Sequence, residues 1–399
     1  MSLPDITISR AQGGLGRQQP TDDGISALIT QGIAISGKLA LGTVYELRSP
    51  EAAEAIGVTA GSAYAKTRRH INEYFRLSPG AVLLFLAVAR TVPMADICDR
   101  TLPYAKTLLT AANGRVKQLA VCLNPASGYT PVTTGGLDSD VLLAIAKAQA
   151  LAAEEFVQHR PVAVLLAAHN LAADLSTVPD FRALASEYVS LVAATDFALA
   201  ASEPAIGTAL GAVSAAGVNE SIAWVQKFNL TGDGSFLAAG ISTVAGTAIS
   251  ALLPGDLAGL ADKGLIVGRQ HAGLDGVYFS DTPTCTVASS DYAYLENVRT
   301  TNKAARVVRR ALLPALNGPL PVNADGTLQA QVIGELQGKA TAALSAALLQ
   351  SGEASALAVF IDPAQNVVST SQLNVQVRIV PVGVGRQIVV SLGLTAKLS

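Results

Sequence analysis

The chain has 399 residues, with 28 Lys and Arg against 30 Asp and Glu, a net charge of −2, 15% charged residues and 50% hydrophobic ones. At roughly 150 residues per domain this suffices for two or three domains with real cores, which excludes a disordered chain or a miniprotein. Charge this sparse, against about 25% in ordinary soluble domains, implies a surface covered by other subunits in use, and the lack of a broad positive field excludes a general nucleic-acid partner.

Cys98, Cys122 and Cys285 are odd in number and far apart. They build neither a disulfide framework nor a CxxC metal site, and they read as reduced, buried small hydrophobes of a protein assembled in the cytoplasm. The start, Met1-Ser-Leu-Pro-Asp5, has an early acid and no basic region before an apolar core, so no secretory signal is expected. The longest uncharged run, between Asp233 and Asp256, has the length to span a bilayer. Gly240, Ser242, Thr243, Gly246, Thr247 and Ser250 dilute it, and Leu252-Leu-Pro-Gly255 ends it without a basic anchor, so the expectation is a buried Ala-rich helix and no membrane span.

In chain order, residues 1–20 hold a short alternating segment, Ile6-Thr-Ile8, and a glycine-rich polar stretch, Gly13-Gly-Leu-Gly16-Arg-Gln-Gln-Pro20, and read as an arm. Apolar residues cluster between Gly24 and Gly42. Ser49-Pro50 then opens a helix over Glu51-Ala-Ala-Glu-Ala-Ile56, with serine as N-cap and proline at the first position. An amphipathic helix over 68–77 stops at Pro79-Gly80, and Ala81-Val-Leu-Leu-Phe-Leu-Ala-Val88 reads as a strand buried on both faces. The alternation recurs in a strand over 116–123 closed by Asn124-Pro125, a helix over 138–156 capped by Asp138 or Ser139, and a strand at Val162-Ala-Val-Leu-Leu166. Such alternation predicts a mostly parallel α/β layer.

Beyond Gly276 the pattern changes. A long helix over 291–316 carries Leu295, Val298, Ala305, Val308, Leu312 and Leu316 as its apolar residues, Asn317-Gly-Pro319 breaks it, and a second helix covers 328–350. Leu373, Val375, Val377 and Ile379 then alternate with Asn374, Gln376 and Arg378, the signature of a half-buried strand. Pro381-Val-Gly-Val-Gly385 turns the chain, and Ile388, Val390, Leu392 and Leu394 alternate in a last strand. The expected division is an arm over 1–20, an α/β domain over 21–276, a smaller α+β domain over 277–384 and a strand arm over 385–399.

Signatures of chemistry are sparse. There is no G-x-S-x-G elbow and no phosphate-binding loop, and Gly13 to Gly16 neither follows a buried strand nor opens a helix. None of His70, His159, His169 and His271 has a partner at metal spacing, and His70 beside Arg68 and Arg69 reads as part of a solvated face. His169, Asp174 and Asp196 near a strand end leave open an α/β hydrolase-like enzyme with a site near His169. Asn229-Leu-Thr-Gly232-Asp-Gly234 lacks the acids of a calcium loop and reads as a turn. No cofactor and no metal are expected. In the long C-terminal helix, Arg299, Lys303, Arg306 and Arg310 are spaced by four, three and four and form one stripe, with Arg309 outside it. The stripe is either a solvated face or a positive strip that touches an acidic protein partner and can release it.

The sequence resembles the contractile tail sheath proteins, in their divergent branch. The resemblance rests on Lys263-Gly-Leu-Ile266, Gly276-Val-Tyr-Phe279, Asp291-Tyr-Ala-Tyr-Leu-Glu-Asn-Val-Arg-Thr300, Asn302-Lys-Ala-Ala-Arg306, Leu312-Leu-Pro314, Ile361-Asp-Pro363 and Ile379-Val-Pro-Val382 in that order. Gly13-Gly-Leu-Gly-Arg17 and Asp23-Gly-Ile-Ser26 extend it to the N-terminal region.

This resemblance implies an outward α/β domain, a C-terminal α+β domain facing a tube, and terminal segments that add strands to neighbouring subunits. Leu3, Ile6 and Ile8 at one end and Ile388, Val390, Leu392 and Leu394 at the other are the candidate arm residues. Arg299, Lys303, Arg306 and Arg310 become a candidate tube-facing stripe. The implied partners are further copies in stacked hexameric rings, an inner tail tube protein, and baseplate and tail terminator proteins of a phage tail or phage-like particle assembled in the bacterial cytoplasm. Contraction by rigid-body rotation requires no catalysis. A non-contractile tube or binding protein is the other alternative.

Overall fold

The computed structural model describes residues 22–196, 203–231 and 239–394. A short turn at Asp22–Gly24 leads into β1 (Ser26–Gly32), buried along its whole length. The edge strand β2 (Val44–Leu47) precedes α1 (Pro50–Ala55) and α2 (Ala65–Leu77). Ser49 caps α1 by accepting from the Ala52 N–H, and Pro50 occupies the first turn, where a missing N–H costs nothing. After β3 (Leu83–Ala89), α3 (Met94–Ile97), α4 (Ala105–Ala112) and β4 (Gln118–Cys122), a small hairpin of β5 (Thr133–Thr134) and β6 (Leu137–Asp138) enters α5 (Ser139–Val157). Asp138 is the N-cap of α5, accepting from the Asp140 N–H.

Next come β7 (Ala163–Ala167), β8 (Val189–Val192), β9 (Ala194–Asp196), α6 (Ile206–Ala215), β10 (Ala239–Ile241), β11 (Thr247–Ala248), α7 (Pro254–Asp262) and β12 (Leu265–Ile266). The main sheet runs β12-β8-β7-β4-β1-β3-β2, with parallel pairing throughout except for antiparallel β2. Its inner strands are buried almost throughout because helices cover both faces, and β3 and β7 are unbroken apolar runs. Helix α6 presses on α2 through Gly207 and Gly211: a Cβ at Gly207 would lie 2.2 Å from the His70 carbonyl oxygen, and one at Gly211 would lie 2.9 Å from Tyr74 Cα. Cys98, Cys122 and Cys285 are free and buried, and burial pushes all three thiols up.

The region 239–251 differs from expectation. It forms β10, β11 and a short turn of helix rather than an Ala-rich helix, and 232–238 lie outside the described residues. Glycine and hydroxyl residues explain this, since they favour turns and side-chain bonds to backbone over helix. Ser242 donates to the Ala168 carbonyl at 2.6 Å, the Thr243 and Thr247 hydroxyls bond at 2.9 Å, and Gly246 takes a φ of 72°. Among the described residues, no helix is long and apolar enough to cross a membrane.

After the antiparallel pair β13 (Gly268–His271) and β14 (Leu274–Phe279) comes α8 (Leu295–Leu312). Helix α9 (Ala330–Leu344) continues as a π turn, Ser345–Leu349, and is followed by β15 (Ala354–Ile361), α10 (Val367–Thr370) and β16 (Val375–Pro381). β15 and β16 pair antiparallel as a sheet of two strands, setting Leu357 opposite Ile379, Val359 opposite Val377 and Ile361 opposite Val375. Residues 382–394 carry no helix or strand.

Candidate functional site

In an open parallel sheet, ligands bind at the carboxyl ends of the strands where the strand order reverses, here between β1 and β4. This chain fills that crevice with its own side chains. Gln31 donates to the Val92 carbonyl at 2.6 Å and accepts from the Asn124 N–H at 3.0 Å, while the Asn124 amide donates to the Gln31 and Ala63 carbonyls at 3.2 and 3.0 Å. His169 is buried and its Nε2 accepts from the Leu123 N–H at 3.1 Å, which leaves Nδ1 facing Glu203 at 3.8 Å.

His70 is buried too, contrary to the solvated-face reading, because α6 covers this side of α2. Its Nε2 lies 3.2 Å from Glu203, and the Lys66 ammonium lies 3.1 Å from the same carboxylate. Burial opposes ionisation of Glu203, yet His169, the His70 hydrogen bond and Lys66 outweigh it and pull the carboxyl down to about 2. Burial pushes His169 down, favouring the neutral ring. Asp174 is exposed and caps a short turn through the Ser176 N–H, whereas Asp196 is buried against Arg69 at 2.8 Å. The three residues of the enzymatic alternative therefore have three separate structural roles.

The basic stripe on α8, expected to face a tube, is mostly turned inward within this chain. Arg299 is 4% exposed and donates to the Gly217 and Ala216 carbonyls at 2.9 and 3.1 Å, satisfying the C-terminal end of α6. Lys303 pairs with Asp23 at 2.8 Å and with Glu353 at 2.5 Å, and Arg306 pairs with Asp23 at 2.7 Å. Burial raises the Asp23 carboxyl, but the charges of Lys303, Arg306 and Arg299 outweigh it and hold it below the ordinary carboxylate range. Arg310 alone of the stripe is exposed. The α-helical period groups these residues on one face but carries no information about what that face meets.

The C-terminal segment is the reverse case. Ile388, Val389, Val390, Leu392 and Leu394 are 85%, 83%, 70%, 92% and 108% exposed, so five large apolar side chains within this short stretch have no cover among the described residues. The root of the segment is nonetheless held, because Arg386 pairs with Asp281 and Glu296. Sequence alone gives no role to Arg386, Asp23, Glu296 or Glu353, although Asp23 and Glu296 lie in segments that carry the sheath resemblance. Leu3, Ile6 and Ile8 lie outside the described residues.

Two family models match the chain. Residues 3–283 match the DUF2586 N-terminal domain and residues 291–399 match the DUF2586 C-terminal domain. The chain belongs to the DUF2586 family. No curated protein matches this DUF2586 chain. Solved structures do: the helical sheath of the anti-feeding prophage in its contracted state is 16% identical, with a TM-score of 0.63 and 100% of both chains covered. The contracted sheath of the extracellular contractile injection system PVC is 13% identical, with a TM-score of 0.59 over 99% of this chain and 98% of that one. The sheath tail protein from Listeria innocua is 13% identical, with a TM-score of 0.52 over 92% of this chain and 96% of that one. The DUF2586 chain thus has the fold of a contractile-sheath subunit, with the α/β layer and C-terminal domain expected from its sequence.

Proposed function

We propose that this DUF2586 protein is the structural subunit of a contractile sheath. Copies join head-to-tail into stacked hexameric rings around a tube, and the polymer contracts by rigid-body rotation of its subunits. The observation that carries this reading is the uncovered apolar run over 388–394 in a chain that also holds a sheet of only two strands. A two-stranded sheet is marginal in water, and a third strand from a neighbour supplies both main-chain hydrogen bonds and apolar cover. Residues 388–394 span about 23 Å at roughly 3.3 Å per residue, which matches the 7 residues of β16. Leu3, Ile6 and Ile8 are proposed to act likewise at the other end. A buried Ile, Val or Leu contributes about 1.5–3 kcal/mol, so a handful of such side chains offsets the ordering of one arm.

In this reading the subunit performs no catalysis, in keeping with a strand-end crevice filled by Gln31, Asn124 and His169. The inner tube, baseplate and terminator proteins are its partners, and Arg310 is the part of the stripe left for the tube. Assembly takes place in the bacterial cytoplasm.

The test is to express the chain alone and examine it by size-exclusion chromatography and negative-stain electron microscopy. Wide hollow tubes are expected. Truncation after Gly385, or deletion of residues 1–20, is expected to leave soluble, folded subunits that form no tubes. Normal tubes from both truncations would overturn the arm mechanism, and a uniform small oligomer that stays so when the tube protein is added would overturn the sheath reading.

A further inference from the structure

The two ends of the described chain meet one helix. Asp23 lies just after the N-terminal arm, and its carboxylate is divided between two α8 side chains, Oδ2 accepting from Lys303 at 2.8 Å and Oδ1 from Arg306 at 2.7 Å. Side chains of Asp23, Lys303 and Arg306 are each about 15% exposed, so solvent does little to loosen them.

At the other end, Arg386 stands between β16 and the apolar run. Its Nε donates to both Asp281 oxygens, at 3.1 and 2.8 Å, its Nη2 donates to Glu296 in the first turn of α8, and its guanidinium lies over the Tyr294 ring, 3.4 Å from the centroid. The other Glu296 oxygen accepts from the Thr282 hydroxyl at 2.5 Å. A planar guanidinium that stacks and forks in this way has no equivalent in lysine. Gly383 and Gly385, the permissive residues of the link from β16, lie before this seat, so docking of Arg386 moves the start of the free segment from Val382 to Gln387.

Resting on the arm reading above, we propose that α8 is the common root of both arms: Asp23 on Lys303 and Arg306, and Arg386 on Glu296, hold the two take-off points at a fixed separation on one rigid helix. Glu296 is about 10 Å along the axis from Lys303 and about 15 Å from Arg306, at 1.5 Å per residue. Arg299, anchored on the end of α6, fixes the same helix to the α/β body. The strand given to one neighbour and the strand given to another are thereby coupled, and a shift imposed on one arm is transmitted through α8 to the other.

The experiment uses the full chain with spin labels at Asp22→Cys and Gln387→Cys, both exposed, diluted with unlabelled chain; the native cysteines are buried. Pulsed electron paramagnetic resonance is expected to give a narrow distance distribution. Arg386→Ala, and separately Asp23→Ala, should broaden it at least twofold with unchanged circular dichroism, and tubes should become fewer and irregular. Arg386→Lys should fall between wild type and Arg386→Ala. An unchanged narrow distribution in both alanine variants would overturn the proposal, as would wild-type tubes from variants whose distribution has broadened. If wild type forms no tubes under any condition, the sheath reading fails, while the distance measurement still decides whether the roots hold.

Discussion

The α/β body and the C-terminal hairpin are built to opposite rules. The body buries its seven-stranded sheet under helices and uses its polar groups internally, down to an ionised Glu203 held by two histidines and Lys66. The hairpin stops at two strands and is followed by an apolar run with no cover. One region is finished by its own chain, and the other is left open by it, to be finished in the proposed assembly by another copy. Apolar residues that would be a liability on a monomer are, in the proposed assembly, the material of an interface.

This contrast breaks most sharply at the arm. Val390→Asp with Leu392→Asp should abolish tube formation seen by electron microscopy, yet change the urea stability of the subunit by less than about 0.5 kcal/mol, because neither side chain packs on the body. A large loss of stability would show that the segment is covered in cis.

In the body the effects should fall on folding. Glu203→Gln leaves Lys66 and its histidine neighbours without their carboxylate and should cost about 3–5 kcal/mol at pH 7 in denaturant titrations. The pH dependence has a definite sign. Glu203 is lowered from 4.5 to about 2, so its stabilisation is complete above about pH 4.5 and is lost as pH falls toward 2. His169, lowered from 6.5, prefers the neutral ring in the fold, so stability also declines as pH falls below about 6.5. Melting curves between pH 7 and 3 should therefore fall steadily in wild type and more gently in Glu203→Gln.

Gly207→Ala places a Cβ against the His70 backbone and should cost about 1–3 kcal/mol as α6 is forced off α2, measured by urea titration. Arg299→Ala strands two carbonyls at the end of α6 and should cost about 2 kcal/mol by the same measurement. The smallest effect is expected for Arg310→Ala, within about 0.5 kcal/mol, since its side chain is exposed. A similar cost for Arg299 and Arg310 would erase the distinction drawn within the stripe.

Much of this architecture was legible in the residues. Continuous apolar runs marked β3, β4 and β7, Ser49-Pro50 marked a helix start, and alternation marked β16. The run from Asp233 to Asp256 misled because alanine, leucine and isoleucine dominate its hydropathy while Gly240, Gly246 and the hydroxyl residues decide its backbone. The alternation over 388–394 reads as a last strand, whereas the described chain carries no strand there and offers these residues no partner.

Local pattern by itself determined most of the element types, the mostly parallel layer and the apolar terminal segment, because these depend on the spacing of side chains along the chain. Only the tertiary structure decided that His70 is buried, that Arg299, Lys303 and Arg306 face inward, and that Asp23 and Arg386 converge on α8. A charge is worth what it meets, and Asp23 meets Arg306 across 283 positions of sequence, a distance over which no periodicity speaks.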